Sequence, residues 1–117
     1  MTSPPFGQGQ IVTVFRSRLR PTAGEGAGGA PGYDAVAEEM LSAARVMPGF
    51  VDFETYRSED GKRMSVVTFA SQAAHDAWRD DLRHREAQRR GRDEFYAEYS
   101  VQVAECIRAR QWVAPED

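Results

Sequence analysis

Four short apolar runs are separated by two amphipathic stretches, and their order limits what this 117-residue chain can fold into. Ile11 to Leu19 alternates, with Ile11, Thr13 and Phe15 pointing one way and Val12, Val14 and Arg16 the other, as a strand requires. Phe50 to Ser58 and Arg63 to Ala70 read as two more strands, joined by the turn signal Glu59-Asp60-Gly61 and so paired as a hairpin. Tyr99 to Arg110 reads as a last, long strand, with Val101, Val103 and Ile107 on one side and Ala104 and Cys106 on the other. Between the first and second strands, Tyr33, Val36, Ala37, Met40, Leu41 and Ala44 recur at helical spacing, and Met47-Pro48-Gly49 ends that helix. Ser71 is placed to cap a second helix that turns Ala74, Ala77, Trp78 and Leu82 inward. A short Arg-rich helical segment over 84–92 continues it and stops near Gly91. The order β-α-β-β-α-β is the ferredoxin-like split βαβ arrangement, an α+β domain with a four-stranded antiparallel sheet and helices on one face.

The strands also predict assembly. A sheet with one wet face alternates apolar and polar residues, but here Phe50 and Tyr56 oppose Val51 and Phe53, and Met64 and Val66 oppose Val67 and Phe69. Two helices cover one face only. A second copy of the same sheet is the simplest cover for the other, which predicts a homodimer built as a dimeric α+β barrel.

The organisation is that of one domain over 11–110, with an unstructured lead over 1–10 and a tail over 111–117. Pro21 to Gly32 is too glycine-rich for regular structure and reads as a loop, a plain connector or a mobile lid. It carries no phosphate-loop signature. Net charge is −3, which disfavours nucleic acid as a partner. The arginines at 83, 85, 89, 90 and 92 are interleaved with Asp80, Asp81, Glu86, Asp93 and Glu94, the pattern of a solvated, ion-paired helical face. No apolar stretch approaches a membrane span, the first ten residues do not form a secretory signal, and Cys106 is the only cysteine. These features predict a cytoplasmic protein without an internal disulfide, with Cys106 as a small buried strand residue. Two histidines and scattered carboxylates give no metal-ligand spacing, and no dinucleotide fingerprint is present, so no cofactor is expected.

Several segments carry a family resemblance: Val14-Phe-Arg-Ser-Arg-Leu-Arg20, Met47-Pro-Gly-Phe-Val51, Glu59-Asp-Gly-Lys-Arg-Met-Ser-Val-Val67, Trp78, His84-Arg-Glu-Ala-Gln88, Gly91-Arg-Asp-Glu-Phe-Tyr96 and Tyr99-Ser-Val-Gln-Val103. Together they resemble the antibiotic biosynthesis monooxygenase family, from Ile11 to about Arg110. The resemblance implies a dimeric α+β barrel and, in some members, oxidation of aromatic polyketides without metal or flavin. A haem-degrading branch of the same family uses an asparagine on the first strand, a tryptophan on the second helix and a histidine iron ligand further along. Trp78 matches the tryptophan. His84 lies closer to it than that branch's spacing, and Phe15 and Arg16 stand where the asparagine would be.

His84 is the leading catalytic candidate, because an imidazole titrates near working pH and can take a proton from a phenol or enol. Deprotonation makes the electron-rich carbanion that can reduce O₂ directly. Trp78 is either core or the wall of a flat aromatic pocket. Phe15, Arg16, Tyr56, Phe69 and Phe95 complete the candidate pocket, with Arg16 either pairing an acid across the dimer or stabilising an enolate oxygen. His75 is expected in solvent, on the side of its helix opposite Trp78. Trp78 and His84 are six residues apart, so they can share a pocket only if the helix breaks between them, around 79–83. Three functions follow: a cofactor-independent monooxygenase of a small aromatic or quinone-like compound, a dimeric ligand-binding or accessory protein of the same fold, or, as the family resemblance also allows, a haem-binding or haem-degrading monooxygenase.

Overall fold

The computed structural model of the protein describes residues 5–20 and 33–116, except the side chains of Tyr33, Asp34, Leu82 and Arg83. The glycine-rich loop ending at Gly32 and the inward packing of Leu82 therefore lie outside the described residues. The elements are β1 (Ile11–Leu19), α1 (Tyr33–Arg45), β2 (Phe50–Arg57), β3 (Arg63–Phe69), α2 (Gln72–Arg79), α3 (Leu82–Arg90), a π-helical turn (Gly91–Phe95) and β4 (Tyr96–Glu105). The sheet is antiparallel with strand order β2-β3-β1-β4, the split βαβ order.

The helices pack on the face that carries Ile11, Thr13, Val67 and Phe69, all buried. Ala44 of α1, Val67 and Phe69 of β3 and Trp78 of α2 form the core, with Met47, Phe50, Phe53 and Ala74 packed around them. Phe69 contacts Trp78 at 5.3 Å between ring centroids and meets Phe50 edge-on at 6.0 Å. Ser71 caps α2 as expected, its hydroxyl accepting from the Ala74 N–H at 3.2 Å. Gly49, which turns the chain from α1 into β2, has φ +83°, and a Cβ there would stand 2.5 Å from the Ala74 Cβ. Only glycine combines that backbone with that closeness.

Three expectations need correction. The first concerns β2, where Phe50 pairs with Phe69 but Asp52 pairs with Thr68, so Val51 sits in a bulge. The extra residue resets the alternation, and Phe50 and Phe53 both join the helix-side core. The helix-free face therefore holds Val12, Val14, Tyr56, Met64 and Val66, a smaller apolar patch than simple alternation implies. The second concerns β4, expected over 99–110 but observed over Tyr96–Glu105. The ladder ends where β1 begins, at the Ile11–Glu105 pair, and one further rung joins Gly9 and Gln10 to Cys106. Cys106 thus follows the strand, half-buried, and Ile107 is exposed beyond it. The third concerns the described part of the lead, residues 5–10, which is tied down by that rung and by Phe6, whose N–H donates to Gln111 Oε1 at 3.1 Å.

α3 does not run directly into β4. The π-helical turn leaves carbonyls unpaired, and Arg20 takes them up: its guanidinium donates to the carbonyls of Arg92, Asp93 and Tyr96 at 2.7–3.1 Å. A Cβ on Gly91 would lie 2.4 Å from the Tyr96 ring, so glycine lets that ring lie against the turn. Phe95, which ends the turn, is almost wholly buried, with the Arg90 guanidinium 5.1 Å from its centroid. Among the described residues no helix is long and apolar enough to cross a membrane.

Candidate functional site

The chain breaks helix between Trp78 and His84. α2 stops at Arg79, Asp80 and Asp81 make the corner, and α3 begins at Leu82. The Asp81 N–H returns to the Trp78 carbonyl at 3.1 Å and the Arg85 N–H starts the new helix on the Asp81 carbonyl at 3.0 Å. A helix end leaves carbonyls without partners, and here His84 Nδ1 reaches the Arg79 carbonyl at 3.4 Å. The corner folds the imidazole onto the indole, with ring centroids 4.1 Å apart and planes inclined at 41°.

Both rings border a cavity of about 620 Å³ between the helices and the sheet, a volume in the range of small-molecule sites. Phe15, Tyr96 and Tyr99 line it as a mutually packed aromatic cluster, with centroids 5.3–5.8 Å apart. Phe53, Met40 and Leu41 add apolar wall, and Arg63 and Arg79 add charge. On the β4 side Tyr99, Val101 and Val103 line the cavity while remaining about half exposed, so the cavity opens there.

A carbonyl oxygen can only accept, so His84 Nδ1 carries the proton in this arrangement and Nε2 keeps its lone pair. Burial holds the imidazole below its ordinary pKa of 6.5, opposed by the Arg79 carbonyl and by the charge of Asp81. His84 is therefore neutral at pH 7, the state a base needs. Among the described residues, two buried polar atoms on cavity-lining residues have no hydrogen-bond partner, Trp78 Nε1 and Thr13 Oγ1. A buried indole N–H without an acceptor costs stability.

The residues expected to form one pocket divide between three places. Trp78, His84, Phe15 and Phe95 line the cavity. Phe69 does not, because it lies beneath Trp78 in the core. Arg16 and Tyr56 are on the opposite face of the sheet, where both pair with Met64 across the ladders. Arg16 bonds Gln102 there, and the Tyr56 hydroxyl donates to Glu54 at 2.7 Å. His75 is the reverse case: instead of facing solvent it is 4% exposed, lines the cavity and packs on Trp78 at 6.0 Å. Residues three apart lie on nearly the same side of a helix, which also places Ala77 outside. Tyr96 and Tyr99 reach the cavity although no spacing in the sequence singled them out.

Among the described residues no three His, Cys, Asp or Glu side chains gather closely enough to hold a metal. The haem-degrading arrangement does not fit either: His84 packs directly on Trp78, which leaves no gap between the two rings for a macrocycle.

The antibiotic biosynthesis monooxygenase family profile matches residues 27–90, and the chain belongs to that family. The Bacillus subtilis protein YqjZ, which is uncharacterised, is 38% identical over 79 residues, covering 68% of this chain and 69% of YqjZ. Among solved structures, SnoaB of Streptomyces nogalater, a cofactor-independent oxygenase, superposes with a TM-score of 0.66 at 15% identity, covering 92% of this chain and 99% of SnoaB. Rv0793 of Mycobacterium tuberculosis gives 0.67 at 19% identity, covering 92% and 96% of the two chains. At such identities the structures share a fold.

Proposed function

We propose that the protein is a cytoplasmic, cofactor-independent monooxygenase that uses O₂ directly on a small phenol, enol or hydroquinone. The observation that carries this reading is the His84–Trp78 pair on an aromatic cavity: a neutral imidazole beside a buried, unpartnered indole N–H. His84 Nε2 takes the acidic proton of the substrate, and Trp78 Nε1 donates to the substrate oxygen on which negative charge develops. The resulting carbanion is electron-rich enough to reduce O₂ without a flavin or metal. The activity of SnoaB and the family's name support the same reaction class.

Dithranol, a dihydroxyanthrone with an acidic CH₂, is a suitable probe. The protein is expected to accelerate oxygen uptake well above the autoxidation background and to give the anthraquinone, one quinone per O₂, with isotope from labelled O₂ in the new carbonyl. Dithranol that binds and quenches tryptophan fluorescence without added oxygen uptake would establish a ligand-binding protein of this fold instead.

The working unit in this proposal is a homodimer joined through the helix-free face. Val12, Val14, Met64 and Val66 are only partly covered there and Tyr56 is half exposed, a patch that a second copy buries symmetrically. Light scattering at low micromolar concentration should give the mass of two chains. Val66→Asp should reduce it to one, and a monomeric wild-type protein would defeat the assembly.

A further inference from the structure

The cavity holds a second imidazole that the first proton transfer does not use. His75 of α2 is 4% exposed, yet it lines the cavity and packs on the same indole as His84. Its Nδ1 lies 3.0 Å from Asp76 Oδ1. The Asp76 carboxylate also accepts from Gln72 Nε2 at 2.9 Å and pairs with Arg79 at 3.4 Å. The Gln72 bond first, and the His75 bond next, hold Asp76 below the usual carboxylate range, so it is ionised at neutral pH. An ionised carboxylate only accepts, so Nδ1 is the donor in this bond, and in the neutral imidazole the lone pair is then on Nε2. Neighbouring residues of a helix do not face each other, so the side chains must bend toward one another to make this bond. An apolar residue would fill the same buried space without an imidazole nitrogen to satisfy. The arrangement is that of an oriented imidazole, held by a carboxylate at Nδ1, on a residue that lines a substrate-sized cavity.

We infer that His75 is a second catalytic base, oriented by Asp76, which opens the substrate hydroperoxide after O₂ has added. The inference rests on the oxygenase reading above. That chemistry requires two separate deprotonations at one carbon. In the first, His84 removes a proton, the carbanion and O₂ form a C–O bond, and the peroxide anion takes the proton back from the His84 imidazolium to give C(H)–OOH. In the second, His75 Nε2 removes the remaining C–H proton. The C–H electron pair becomes the C=O bond, the O–O bond breaks, and the departing hydroxide takes the proton from the His75 imidazolium and leaves as water. The sum is substrate CH₂ plus O₂ giving C=O plus H₂O, with carbon oxidised, dioxygen reduced and both imidazoles returned neutral. A single base would have to complete both transfers from one position, whereas two imidazoles on one indole divide them.

The test measures oxygen uptake, quinone and organic hydroperoxide together, with dithranol as probe and autoxidation subtracted. His75→Asn keeps a donor for Asp76 through its amide and removes Nε2. It should take up oxygen at a rate within about threefold of wild type, while quinone formed per O₂ falls at least tenfold and hydroperoxide accumulates, since a positioned base contributes roughly 10²–10⁴ to its step. Asp76→Ala changes a half-buried carboxylate while leaving the imidazole in place and should give an intermediate fall in quinone per O₂, so a misfolded His75→Asn protein does not leave the idea without a test. Quinone per O₂ equal to wild type in both variants would overturn the role of His75 and leave the oxygenase reading intact. No enzyme-dependent oxygen uptake by wild type would instead overturn the oxygenase reading itself.

Discussion

His84→Ala is expected to reduce dithranol-dependent oxygen uptake by roughly 10²-fold or more, the usual contribution of a positioned general base. Its effect on the melting temperature at pH 7.5 should be small, because the ring sits at the cavity wall with one long hydrogen bond, to the Arg79 carbonyl at 3.4 Å. The wild-type pH profile gives an independent check. Burial is the main cause of the lowered His84 pKa, with the Arg79 carbonyl and Asp81 opposing it and His75 adding to it. The basic form is the active one, so the rate should rise with pH through an apparent pKa below 6.5 and stay level above neutrality. Stability should follow the same group. Between the depressed native value and the unfolded value near 6.5 the unfolded chain binds more protons, so stability rises with pH there. This contribution is fully present above 6.5 and is lost as pH falls through the native pKa. His84→Ala should remove that part of the acid sensitivity of the melting temperature. A variant that retains oxygen uptake within threefold of wild type would end the assignment of His84 as the base.

The sequence made the order of elements legible because each strand and helix carries its own period. Ile11, Thr13 and Phe15 face one way and Val12, Val14 and Arg16 the other, and β1 spans Ile11–Leu19. It made a helix break the condition for Trp78 and His84 to share a pocket, since residues six apart do not share a helix face, and α2 does end at Arg79. Alternation further excludes a pocket containing both Phe15 and Arg16, adjacent in one strand, and the structure puts them on opposite faces. Likewise the three-residue step from His75 to Trp78 is a helical signature, and it is the signal by which a buried His75 can be found. What was not legible depends on partners remote in sequence. The Val51 bulge exists because of how β2 registers on β3, and β4 ends where β1 begins. The π-helical turn at 91–95 is held by Arg20, more than seventy residues away.

Trp78→Ala is expected to produce the largest loss of stability of any single change at the site. The indole is 6% exposed and packs on Phe69, His84 and His75 at once, with centroids at 5.3, 4.1 and 6.0 Å. Truncating such a residue costs about 3–5 kcal/mol through lost transfer energy and the cavity left behind. For a domain near 100 residues, each kcal/mol corresponds to about 4–8 °C in melting temperature, so a fall of at least ~12 °C is expected. Activity should be lost as well, because removing the indole unseats the His84 ring. Trp78→Phe separates the two roles. It keeps most of the packing and removes an N–H that has no partner within the protein, so no hydrogen bond is broken and the cost in stability should be much smaller. If that N–H binds the substrate oxygen, Trp78→Phe should nevertheless lower kcat with dithranol by about tenfold or more, the scale of one oriented donor to a developing oxyanion. Unchanged kcat in Trp78→Phe, beside a large loss of stability in Trp78→Ala, would make Trp78 a core residue that happens to face the cavity.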